Sequence, residues 1–168
     1  MNWTLSNKGN AWCLAMADRH YNRQTHGSPQ FLPPGRSIVL RAEDAVWSTV
    51  FQKFVKHEWP GAWTNTLFRR EKREGSPKAS LLILEACAAT RALWGDPPEG
   101  GLISFVNPKV VKTKGNPGWS YLRAGFERCA DTPKGLICLR LRPERFPPPS
   151  LPMGAQGALV SPPGRNAP

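Results

Sequence analysis

The sequence predicts an α+β fold in which a central mixed, mostly antiparallel sheet is flanked by helices. One domain is expected over residues 1–142, with a disordered proline-rich tail over residues 143–168. Three features of the 168-residue chain carry this reading. Short runs of β-branched and aromatic residues alternate with turn signals through the first half. A long, almost wholly apolar helical stretch then separates them from two further strand-like runs. Eight of the eighteen prolines fall between Pro143 and Pro168, where no helical or strand period survives. Proline fixes φ and removes a donor, so such a segment sustains no hydrogen-bonded element and reads as extended or disordered; a tail docked through Phe146 and Leu151 is the alternative.

The elements follow in order. A short strand is expected at residues 3–5, then a helix from the cap-competent Ser6 to about Arg19, with Trp12, Ala15 and Met16 on one face. "THGSPQFLPPGR" is a turn-rich connection. "SIVLR" and "DAVWSTVFQKF" read as a hairpin joined through Ala42 and Glu43, and "TNTLFRRE" as a third strand beyond the loop "KHEWPGAW". The clearest element is "EGSPKASLLILEACAATRALWG". Ser76 serves as its cap (Ser80 is the alternative), Pro77 suits the first turn, and Gly95 closes the far end. Leu81, Leu84, Cys87, Ala88 and Arg91 keep i, i+3, i+4 spacing along it. "GLISFV" reads as a strand buried on both faces, "NPGWSYLRAGF" as a turn entering a short helix, and "GLICLRL" as the last strand.

Charge and cysteine usage narrow the function. The formal net charge is +11, nearly all of it in the body, since the tail sets Arg145 and Arg165 against Glu144. Such a balance favours an anionic partner, either nucleic acid or a phosphate-rich cofactor, although many basic proteins have none. Cys13, Cys87, Cys129 and Cys138 are widely spaced without a CxxC, so zinc-ribbon and finger spacings are absent and no metal is expected. No run approaches the ~18 apolar residues of a membrane span and no signal peptide is visible, which makes the cytoplasm the expected location.

Three stretches carry candidate chemistry, each beside a plainer reading. "RREKREGSPK" gathers cations at a helix N-terminus, where unsatisfied amides and the macrodipole favour an anion; its plainer reading is a solvated basic loop. Tyr121 in "NPGWSYLRAGFERC" is a potential proton donor, or a core ring with a local hydrogen bond. "DRHYNRQTH" gathers His20, Tyr21, Arg23 and His26; histidine is a natural base near neutral pH, and two idle surface histidines are the alternative. His57 is a weaker candidate. Among the seven tryptophans, Trp59 and Trp63 lie near a loop and Trp119 beside Tyr121, where stacking on a base is possible; most belong in the core.

The basic, glycine-containing turn before a helix, followed by "LISFV" and "YLRAGF", resembles the GNAT superfamily of N-acetyltransferases. "RHYNR" and "SFVNPKVVKTKGNPGWSYLRAGF" are similar to the phage Mom-type DNA-modifying acyltransferases. The "GSPQF", "LFR" and "NPG" blocks look like those of related phage and actinobacterial proteins. Short blocks carry the resemblance, in order, over roughly residues 1–141.

The resemblance implies a GNAT-like fold that uses acetyl-CoA or another acyl-CoA as donor and modifies a DNA base. In catalysis, Tyr121 would protonate the thiolate, His20 would be the base ahead of Glu71, Ser104 or backbone amides would hold the oxyanion, and Asn107 would stand in the catalytic loop. Arg70, Arg73, Gly75, Ser76, Lys78 and Ser80 would bind the cofactor pyrophosphate, and Tyr21, Arg23, Asn116 and Trp119 the substrate. Lys72-Arg73-Glu74-Gly75-Ser76-Pro77 keeps only the first half of the superfamily's pyrophosphate motif, and Pro77 removes an amide. Two further readings stay open: a non-catalytic nucleic-acid-binding protein on a degenerate GNAT scaffold, and an acetyltransferase for a small amine or a protein.

Overall fold

The computed structural model describes residues 1–52, 58–111 and 115–155. Asn10, not Ser6, starts the first helix: its Oδ1 accepts from the Cys13 amide at 3.0 Å, satisfying one of the donors that a helix start leaves free. Ser6 instead closes strand β1 (Thr4–Ser6). Helix α1 (Ala11–Asp18) buries Cys13, Met16 and Ala17, while Ala15, expected on that face, is exposed.

β2 (Arg36–Arg41), β3 (Ala45–Phe51) and β4 (Trp63–Arg70) continue the sheet as antiparallel neighbours. Helix α2 (Ala79–Trp94) crosses over to β5 (Leu102–Val106), which lies parallel to β4 because a helix, not a hairpin turn, joins them. Helix α3 (Trp119–Arg123), a two-residue strand β6 (Glu127–Arg128) and β7 (Ile137–Leu141) complete a seven-stranded sheet of order β1-β2-β3-β4-β5-β7-β6. Every neighbouring pair except β4 and β5 is antiparallel. The expected α+β class is the observed one.

The sheet divides the core. On one face α2 and α3 cover a large cluster that includes Leu40, Trp47, Leu82, Ile83, Tyr121, Phe126 and Leu139. On the other face α1 covers Val39, Val46 and Leu67. The buried stripe of α2 overlaps the expected one only in part: Cys87 and Ala88 are inside as expected, together with Leu82, Ile83, Ala86 and Ala89, but Leu81 is 45% exposed. A helix apolar nearly all round has no strong period to fix its orientation, so tertiary packing chooses the stripe. Its N-cap is Lys78, without a side-chain cap bond, because the Ser76 hydroxyl donates to Asp44 instead.

The tail expected to be disordered is docked as far as it is described. After a 3₁₀ turn at Pro143–Arg145, Phe146 is buried with its ring edge-on to Trp63 at 5.8 Å. That burial contributes roughly 1.5–3 kcal/mol. The Ser150 amide bonds to Ala88, Met153 bridges β1 at Thr4, and Ala155 is fully buried. Prolines suit this path because extended chain laid on a surface needs few donors. Residues 156–168 lie outside the described residues. Among the described residues no helix is long and apolar enough to cross a membrane.

Candidate functional site

The parallel pair β4 and β5 holds together over only three residues, Trp63↔Leu102, Thr64↔Ile103 and Asn65↔Ser104. At the same level β4 bulges: Thr49 faces Asn65 but Ser48 faces Leu67, so Thr66 has no register partner in β3. Beyond Asn65 the two strands part, and a cavity opens beside the split on either side. One, about 640 Å³, is bordered by α3; the other, about 440 Å³, is bordered by the end of α1 and the loop after it. They share His20, Asn22, Asn65, Thr66, Leu67 and Phe105 in their walls.

Asn65 organises this place. Its Nδ2 donates to the Ser48 and Leu67 carbonyls, both at 2.9 Å, and its Oδ1 accepts from Tyr121 Oη at 2.6 Å and Ser104 Oγ at 3.1 Å. All four hydrogen-bonding positions of the amide are thus filled inside the protein. The carboxamide ties the bulge to the tyrosine and to β5 at once. Sequence reading passed over Asn65; the available signal was three polar residues in a row, Thr64, Asn65 and Thr66, inside a central strand.

Tyr121 is placed by the glycines around it. Gly118, the N-cap of α3, has φ of 87°, and a Cβ there would lie 2.7 Å from Leu139 Cδ1, so only glycine fits. Gly125, with φ of 90°, turns the chain out of the helix. The Phe126 amide then returns to the Tyr121 carbonyl, and its ring meets the Tyr121 ring edge-on at 5.2 Å. The Tyr…Gly-Phe spacing is therefore a packing unit that presents the phenol to the α3-side cavity. Burial pushes the Tyr121 hydroxyl well above its ordinary pKa, with the Ser104 hydrogen bond offsetting part of the rise.

His20 and Tyr21 enter the split from α1, stacked at 4.4 Å. His20 sits against the Phe68 backbone of β4, and Tyr21 against the Asn107 backbone at the end of β5. The dipeptide thus braces both strands where they part. The Asn22 amide donates to His20 Nδ1 at 3.2 Å. Burial, then the Arg69 charge, lower the His20 pKa to about 4, which leaves it neutral at physiological pH. Glu71, the other candidate base, is held at about 2, first by the Arg19 hydrogen bond.

The remaining expected residues fall into two groups. Ser104, Asn116 and Trp119 line the α3-side cavity; Trp119 is 58% exposed at its rim, with the Arg123 guanidinium 6.0 Å from its ring. Asn107 does not line it, and its Oδ1 accepts from the Lys109 amide. Arg23 lines the α1-side cavity, where its guanidinium is clamped by Asp18 at 2.6 Å and by the Gln30 carbonyl at 2.8 Å, which shapes the loop after α1. Trp63 is core, and Trp59 lies beneath Arg140 at 4.4 Å. His57 lies outside the described residues.

The turn before α2 stands apart from the split. None of Arg70, Arg73, Gly75, Ser76, Lys78 and Ser80 lines either cavity there. Arg73, Gly75 and Ser76 border a separate cavity beside Glu43 and Asp44. Ser76 Oγ donates to Asp44 at 2.6 Å, Arg70 pairs with Asp44 at 3.3 Å, and Arg73 reaches Glu43 at 3.5 Å. Among the described residues no cluster of His, Cys, Asp and Glu is arranged to hold a metal.

No protein-family model matches this chain, and no curated protein or solved structure matches it.

Proposed function

We propose that the protein is an acyltransferase that moves an acyl group from an acyl-CoA-type thioester to a weakly basic amine, such as the exocyclic amine of a DNA base. One observation carries the reading: two cavities of small-ligand size meet at one parted pair of strands, an arrangement suited to a donor and an acceptor that react where they meet. The amine nitrogen attacks the thioester carbon, the C–S bond breaks, and the amine proton and the thiolate must then be reconciled.

The side chains suit those two tasks. Tyr121 turns its hydroxyl from Asn65 toward the leaving sulfur and gives it a proton, recovered from solvent. His20, neutral but of pKa about 4, takes the proton from an amine already bonded to the acyl carbon, which is strongly acidic. It is far too weak to deprotonate an alkylammonium, whose ordinary pKa is about 10.4. The Ser104 hydroxyl, once released from Asn65, and the backbone of the parted strands would serve the oxyanion.

The test is thiol release from acetyl-CoA in the presence of DNA, with mass spectrometry of the nucleosides. The expected result is an acylated nucleoside, and for Tyr121→Phe a turnover lower by about 10² with donor affinity nearly unchanged. Absence of donor binding at millimolar concentration contradicts the proposal. A second reading, a nucleic-acid-binding protein without catalysis, is favoured by the exposed Trp119 at the cavity rim and the charge of +11. It expects steeply salt-dependent DNA binding and no thiol release.

A further inference from the structure

Thr64 is the odd hydroxyl of the site. It sits in β4 at the last paired level before Asn65, is 7% exposed, and its Oγ1 has no hydrogen-bond partner among the described residues. Its neighbours are all provided for: Ser48 with Thr66 at 2.8 Å, Thr49 with Thr90 at 3.1 Å, and Ser104 with Asn65. A buried hydroxyl left unpaired is costly; this one shows almost no surface to the cavity as it stands, and a turn about the Thr64 Cα–Cβ bond would bring it to a partner there. Thr64 lines the α1-side cavity and not the α3-side one.

The charges around that cavity define what enters. Among the described residues its walls carry no carboxylate to balance an incoming ammonium. The one arginine or lysine among its described walls, Arg23, is neutralised by Asp18, gives three of its five N–H donors to Asp18, Ser28 and Gln30, and is only 7% exposed, so it is poorly placed to hold an anion. The amides of Asn22, Gln24 and Gln30 supply both donors and acceptors, and Phe31 and Phe105 supply apolar surface. A volume of about 440 Å³ lies within the range of small-ligand sites.

We infer that the α1-side cavity binds an uncharged heterocycle bearing hydrogen-bonding groups, a ligand of the nucleoside type, and that the Thr64 hydroxyl hydrogen-bonds it. This rests on the two-cavity reading above, since it names the acceptor that one cavity takes. It excludes alkylamines such as polyamines and lysine side chains, which are cations at neutral pH.

The test needs no thioester donor. Adenosine, cytidine, guanosine and thymidine, with butylamine and spermidine beside them, are titrated into the full chain by ligand-observed NMR. At least one nucleoside is expected to bind, and neither amine to compete with it. Thr64→Val is expected to weaken that nucleoside by about tenfold while the melting temperature stays the same or rises. Thr64→Ser, which keeps the hydroxyl, is expected to recover most of the affinity.

Failure of all four nucleosides at millimolar concentration overturns the inference. So does equal affinity in Thr64→Val, or binding of the amines at the same site. Nucleoside binding of the expected kind without any thiol release from acetyl-CoA sinks the acyltransferase reading alone. Thiol release driven by alkylamines and insensitive to Thr64→Val sinks this inference alone.

Discussion

The turn before α2 and the split between β4 and β5 are both rich in polar groups, but they use them in opposite ways. At the turn, charge is met by charge: Arg70 and Ser76 converge on Asp44, itself buried, and Arg73 reaches Glu43. The result is a braced connection from β4 into α2. At the split the groups are neutral: one carboxamide, Asn65, satisfies Tyr121, Ser104 and two strand carbonyls, Ser48 and Thr66 satisfy each other, and the Thr64 hydroxyl is left over. The three arginines at the turn, Arg69, Arg70 and Arg73, are therefore occupied in ion pairs, while an inconspicuous Thr-Asn-Thr run lies where the two cavities meet. A run of like charges in a sequence shows where charge is, not whether it is free.

Substitutions break the comparison in a definite order. Asn65→Ala strands two hydroxyls and two carbonyls at once and is expected to cost about 3 kcal/mol or more, read from denaturant unfolding. Asn65→Asp should destabilise in the same direction, because a carboxylate cannot donate to the Ser48 and Leu67 carbonyls. Ser76→Ala is expected to cost about 1–2 kcal/mol through the lost bond to Asp44, with donor affinity unaffected. Tyr121→Phe should cost about 1 kcal/mol, so its larger effect on turnover is separable from its effect on the fold.

The pH dependence is shallower. His20 has a folded pKa of about 4 against an ordinary 6.5, so between these values the unfolded chain binds more protons than the folded one. Stability is therefore full above pH 6.5 and declines as pH falls toward 4, and His20→Gln should flatten that interval. Glu71, lowered to about 2, adds its loss only below pH 4.5, and the pair's exposure to solvent keeps it under about 1 kcal/mol.

Much of the fold was legible because local rules and packing agree there. The hairpin of β2 and β3, β4, α2, and β5 buried on both faces all follow from apolar pattern and turn residues. Disagreement arises where two residues can play one part. Asn10 and Ser6 both suit the cap of α1, and only the pairing of Ser6 into β1 decides between them. The α2 stripe was partly misplaced because Leu81 and Leu82 are equally apolar, and β6, with two residues, is too short to show a period.

In the tail the alternative reading prevails as far as residue 155: composition argues against long regular elements, but it leaves room for docking through Phe146, and the bridge of Met153 to β1 adds to it. At the site, Tyr121, Ser104, Asn116, Trp119, His20 and Tyr21 do come together. Asn65 and Thr64 escaped notice because a bulge, and the end of a parallel pairing, leave no mark on the residues that create them.

The division between split and turn is most directly tested by backbone-amide NMR during titration with acetyl-CoA. Shifts at residues 65–68, 104–106 and 118–121, with residues 73–78 unmoved, are the expected result. Shifts confined to residues 73–80, with the split silent, would contradict it.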